Sequence, residues 1–139
     1  MRYLLPWAIA LATLTLPEAA SAMSSYKWKL RPLVVFAENA ASTSLAEQRR
    51  ILAARRTGMI DRDVIVVWVV GDKVSAENGS QPRQSASALR SRFGASGTSF
   101  RVVLVGKDGG AKLSSATPMS ATTLFGTIDA MPMRKDEMR

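Results

Sequence analysis

DVIVVWVV, from Asp63 to Val70, is the most apolar of the strand-like runs in the sequence, and its reading decides the fold. A short, uninterrupted run of β-branched residues, closed by Gly71-Asp72, predicts a strand buried on both faces. Working outward, PLVVFA (Pro32–Ala37) and FRVVLV (Phe100–Val105) carry the same signature. Between the first two runs, SLAE (Ser44–Glu47) has a capping-box pattern and opens a helix. On that helix Leu45, Leu52 and Met59 share one face, and Arg55 falls inside the apolar arc, so that the helix ends near it or the side chain snorkels. GDKVSAENGSQPRQ, after the second strand, is polar and turn-rich and reads as a loop. SASALRSRF (Ser85–Phe93) predicts a short helix stopped by Gly94. Past the third strand, Asp108-Gly109 in GKDGGAKL is a hairpin signal, so a brief fourth strand returns antiparallel. Ser120 then caps a helix that buries Leu124, Ile128 and Met131, and Pro132 bends or ends it. The order β-α-β-α-β-β-α predicts an α/β domain: a four-stranded mixed sheet, strand order 2-1-3-4, with helices on both faces.

The N-terminus addresses the compartment. Met1-Arg2 is a positive start, Tyr3–Leu16 is an apolar run too short to span a bilayer comfortably, and Ala20-Ser21-Ala22 is a small-x-small cleavage pattern. Residues 1–22 are therefore expected to be a signal peptide and 23–139 a single domain, periplasmic or secreted, with no integral membrane segment after cleavage. Arg2 and Glu18 leave together, so the mature chain keeps the net charge of +8. A surface of that sign favours anionic partners such as an envelope component, although the charge also serves solubility. Arg49, Arg50, Arg55 and Arg56 do not form one stripe, and few aromatics interleave with them, so no nucleic-acid partner is expected.

The chain has no cysteine and no histidine. That excludes thiol nucleophiles, disulfide exchange, imidazole bases and Ser-His triads, and leaves Ser/Lys, carboxylate or methionine chemistry.

WKLRPLVVFA, DRDVIVV, LVGKDGGAKL and IDAMPMRKDEM resemble the successive signatures of a bacterial family of unknown function. That family is similar to domains of equarin and the sushi-repeat proteins of the extracellular matrix, and the likeness runs from about Trp28 to Met138. GKDGG by itself is a common hairpin turn, whereas IDAMPMR at its distance from the other segments is specific. The resemblance implies a thioredoxin-like fold. This sequence departs from thioredoxin chemistry, because ENAASTSLAE carries Ser42, Thr43 and Ser44 where the redox cysteines belong. GTSFRVV also lacks the proline that precedes the third strand in thioredoxins. Ser42 and Ser44 read as helix-capping residues, since no base stands near them in sequence.

The candidate site residues are Arg31, Arg62, Asp63, Lys107, Asp108, Asp129, Arg134 and Glu137, which fall in the family-like segments. They form either a structural network or a ligand site. Asp129 or Glu137 pairing with Arg31, Arg62 or Arg134 closes the C-terminus against the sheet. Met131, Met133 and Met138 are weaker candidates for a thioether site of the type that selects Cu(I), and Met131 also fits the apolar helix face. No cofactor is expected. Two functions stay open: a non-catalytic binding or structural module contacting an anionic envelope component or another protein, and an enzyme or redox accessory using non-thiol residues.

Overall fold

The computed structural model describes residues 23–139; the expected signal peptide lies outside the described residues. Five strands and five helices follow in the order β1 (Arg31–Ala37), α1 (Thr43–Ala53), α2 (Arg56–Asp61), β2 (Val64–Val70), β3 (Lys73–Glu77), α3 (Ala86–Arg92), β4 (Phe100–Val105), β5 (Ala111–Ser115), α4 (Ala121–Asp129) and α5 (Pro132–Glu137). The mixed α/β class expected from the apolar runs is what the chain forms. The sheet has five strands in the order β3-β2-β1-β4-β5, which corrects the expected four-stranded sheet of order 2-1-3-4. Lys73–Glu77, read as loop, is the added edge strand. It pairs antiparallel to β2, with Val74 and Ala76 half-buried and Lys73, Ser75 and Glu77 exposed. A polar, short edge strand is a usual way to blunt a sheet margin, and its polarity hid it among turn residues.

β1 and β2 run parallel, with Val35 opposite Trp68, and β4 lies antiparallel on the other side of β1. Side chains of a strand alternate between faces, so each central run feeds two cores. Leu33, Val35, Val66, Trp68, Val102 and Leu104 face one core, which also takes Leu45, Leu52, Met59, Leu124 and Ile128 from the helices. Val34, Phe36, Val67, Val69, Val103 and Val105 face the other, with Leu89 of α3 and the N-terminal Met23 and Tyr26.

Helix ends depart from the sequence reading at three places. The cap of α1 is Ser42, whose hydroxyl accepts from the Leu45 amide, while Glu47 pairs with Arg50 instead of closing a capping box at Ser44. The apolar face Leu45-Leu52-Met59 is split across two helices, because the chain breaks at Ala54-Arg55. Ser120 caps α4 as its sequence position implies, but α4 stops at Asp129 and Pro132 opens α5 at its first turn. A proline at that position lacks only an amide that would have no helical acceptor, so it starts a helix at no loss.

Candidate functional site

The first residue of β1, the α2–β2 junction, the β4–β5 hairpin and the two C-terminal helices converge at one end of the sheet. Arg31 is fully buried, and its guanidinium donates to both oxygens of Glu137, 3.1 Å from Nη1 to Oε1 and 2.6 Å from Nη2 to Oε2. Nη1 also donates to the Arg62 carbonyl at 2.9 Å. Lys107, at the base of the hairpin, points inward and bridges Asp63 (2.8 Å) and Glu137 (3.1 Å). Asp63 stands in the left-handed backbone region at φ 54°, which Asp tolerates better than most residues. Its carbonyl accepts from the Arg31 amide at 2.7 Å and its carboxylate from Lys107, so both halves of the residue are held.

A second ring of contacts ties the helices. Arg62 forms a fork on Asp129, with Nε at 3.0 Å and Nη2 at 2.9 Å, and its Nη1 donates to the Gly58 carbonyl. The same guanidinium lies 4.0 Å from the Phe125 ring centroid. A side chain is excluded at Gly58, because a Cβ there would meet the Phe125 ring at 2.7 Å. Arg134, nearly buried, donates to Asp129 at 3.2 Å and to Asp61, both its carboxylate (2.8 Å) and its carbonyl (3.1 Å).

Four cations (Arg31, Arg62, Lys107, Arg134) thus face four carboxylates (Asp61, Asp63, Asp129, Glu137), and the cluster is neutral. The Arg31 guanidinium, opposed by burial and helped by Lys107, holds the Glu137 carboxyl down at about 2. Arg62, again opposed by burial and then joined by Arg134, lowers Asp129. Burial works against the Arg134 charge, but the hydrogen bonds it donates to Asp129 and Asp61 outweigh it and raise its pKa. Glu137 and Asp129 are thus held as anions beside their cations, which suits a lock.

Seven of the eight residues singled out from sequence meet in this cluster. Asp108 does not: it sits at the hairpin tip, accepts from the Gly110 amide and pairs with Lys112 at 2.7 Å. Asp61 was missed, although DRD at a helix-to-strand junction offers an acid on each side of Arg62. Met131 packs against the core, while Met133 on α5 and Met138 at its C-cap are exposed. Beside the cluster lies an open cavity of about 330 Å³ whose lining includes Arg31, Lys107, Lys112, Met131 and Met133. Its cations are already matched by Glu137, Asp63 and Asp108, so it carries little net charge. Among the described residues no group of three or more acids is placed to hold a metal ion, and no helix is long and apolar enough to cross a membrane.

At the opposite end of the sheet, where open α/β sheets commonly bind ligands, Arg90 of α3 donates to the carbonyls of Ala37, Gly71 and Val69 that end β1 and β2. The Ser42–Ser44 segment at that end caps α1. Cations without carboxylate partners lie elsewhere. Among the described residues Arg49, Arg55 and Arg56 are exposed and make no ion pair, while Arg50 is taken by Glu47. Arg49 of α1 and Arg56 of α2, seven residues apart on either side of the break at Ala54-Arg55, line one cleft.

Residues 22–137 match the family described as "Domain of unknown function (DUF4174)". The chain is 29% identical over 133 residues to Coiled-coil domain-containing protein 80 of Danio rerio, an alignment that takes in 84% of this chain and 15% of that protein. The chain therefore spans a small part of that relative's length. No solved structure matches it.

Proposed function

The chain belongs to the DUF4174 domain family, and on that premise we propose that it is an exported, non-catalytic binding or structural module that contacts an anionic envelope component. The observation that carries this reading is the division of its cations. Arg31, Arg62, Lys107 and Arg134 are spent on internal carboxylates, whereas Arg49, Arg55 and Arg56 face solvent unmatched on the α1–α2 surface. Unpaired exposed guanidinium groups cost little to keep in water and gain most from an external anion.

We further read the fold as thioredoxin-like without redox chemistry. In support, a helical crossover joins the parallel pair β1–β2, an antiparallel hairpin lies beside β1, and Ser42 caps the helix where a thioredoxin would carry its thiols. The sign of the exposed charge and the signal-like N-terminus fit a periplasmic or secreted location.

Co-sedimentation of the purified protein with isolated envelope material tests the function. Binding should weaken as salt rises and fall in an Arg49→Ala/Arg55→Ala/Arg56→Ala variant whose melting temperature is unchanged. Equal binding by the triple variant, or no binding at low salt, overturns the reading.

A further inference from the structure

We propose that the cleft between the α1–α2 pair and the β2–β3 edge receives the phosphate of an anionic phospholipid headgroup, held between Arg49 and Arg56 at the N–H edge of the Trp68 indole. The inference rests on the anion-facing reading given above and narrows it to one kind of partner.

The cleft has a volume of about 140 Å³, and its lining includes Arg49, Leu52, Arg56, Trp68, Glu77 and Asn78. Glu77 is the only carboxylate of that lining, so two guanidinium groups face one acid, and neither is within ion-pair distance of it. Arg is suited to this task, since its planar fork matches phosphate oxygens two at a time.

Trp68 supplies the independent observation. It is 3% exposed, and its Nε1 is a buried donor with no hydrogen-bond partner. Buried N–H groups are nearly always satisfied, so an orphan at a cleft lined by free cations marks a place for an acceptor. The Arg49 guanidinium lies 4.3 Å from the Trp68 ring centroid. Nε1 is closed to solvent in this arrangement, and its N–H points along the ring plane. An incoming oxygen therefore enters at the ring edge as the side chains lining the cleft move apart and Arg49 swings from the ring face onto the phosphate. Arg49 then exchanges a cation–π contact for charge-assisted hydrogen bonds, which are the stronger interaction.

A lipid surface is favoured over an acidic polysaccharide by Ile60. It is 56% exposed and stands four residues from Arg56 in α2, on the same face. An aliphatic side chain beside cations suits the boundary between headgroups and acyl chains, and has nothing to gain from a hydrated sugar polymer.

The test uses the exported protein carrying Trp28→Phe, which removes the exposed indole so that emission reports Trp68. Vesicles of phosphatidylglycerol should change that emission saturably and co-sediment the protein, and phosphatidylcholine vesicles should do neither. Arg49→Ala and Arg56→Ala should each weaken partitioning about fivefold, as expected for one arginine at an anionic surface. Trp68→Phe keeps an aromatic ring but removes the donor together with part of the indole bulk, so its melting temperature falls. Well below that temperature it should weaken co-sedimentation, and Glu77→Gln should strengthen it. Vesicle affinity equal to that of the wild type in both Arg49→Ala and Trp68→Phe overturns the cleft as the contact. Retention on heparin without any vesicle binding also overturns it, yet leaves the anion-binding reading standing. Absence of binding to both heparin and phosphatidylglycerol overturns the two together.

Discussion

Replacing Glu137 by Gln changes one atom and removes the charge that joins three elements. In the wild-type protein its carboxylate accepts from both Arg31 Nη atoms and from Lys107. Lys107 keeps Asp63 after the change, but Arg31 is fully buried and retains only the Arg62 carbonyl as an acceptor of full strength. Breaking a buried pair by removing one partner costs about 3–5 kcal/mol. The Glu137 side chain is 25% exposed, and Gln still offers one oxygen, so solvent and that acceptor reduce the expected loss to about 2–3 kcal/mol. For a domain of this size that is a fall in melting temperature of about 8–12 °C. The loss has a pH signature. The Glu137 pKa is depressed from 4.5 to about 2 in the fold, so its stabilisation is fully present above the unfolded value and disappears as pH falls through the folded one. The gap between wild type and Glu137→Gln should be constant from pH 8 to pH 6. It should shrink to about 40% of that value by pH 3, and close near pH 2, where a protonated Glu137 resembles Gln. Urea midpoints measured on both proteins across this range decide the matter. A gap that does not vary with pH, or one smaller than about 0.5 kcal/mol, refutes the charge-lock reasoning.

Arg134→Ala should lower stability by about 1–3 kcal/mol, because Asp129 and Asp61 each lose a partner while Arg62 still holds Asp129; chemical denaturation reads it, and an unchanged midpoint contradicts the C-terminal clamp. Gly58→Ala should destabilise although it sits in a helix, since the new methyl meets Phe125 at 2.7 Å and the Arg62 guanidinium behind it. A gain in melting temperature there would mean that Phe125 swings clear. Intact mass of the exported protein should begin at Met23, with cleavage after Ala22; full-length chain recovered from the cytosol excludes export.

The three central strands were legible because each is an apolar run, broken only by Arg101 in the third, that two-sided burial explains, as Val34, Val67 and Val103 show by facing one core while their neighbours face the other. β3 was not. KVSAE has the period-2 pattern, but with only Val74 and Ala76 half-buried it is lost between Gly71-Asp72 and Asn78-Gly79. The break between α1 and α2 was legible only in part. Leu45, Leu52 and Met59 keep their spacing across it, no glycine or proline marks it, and only the charge of Arg55 on the apolar arc pointed to it. In the cluster, seven residues could be named, yet not which acid meets which base. Pairing depends on where α5 returns, and Pro132 gave no sign that it opens a helix rather than ending one. Asp61 escaped notice because its neighbours Arg62 and Asp63 already accounted for the segment.

What a guanidinium does in this chain follows from the water left around it. Arg31 has none, so desolvation would make its charge untenable without Glu137, and the pair gains geometry rather than net stability. A neutral set of four cations and four acids at one end of the sheet favours this return path for the C-terminal helices, since a packing that takes Glu137 away strands the buried charge of Arg31. Arg49 and Arg56 keep their water and hold no such position. They remain free to trade hydration for an external oxyanion at small cost. The buried arginines therefore specify where the chain ends, and the exposed ones are the part of its charge that a partner can still use.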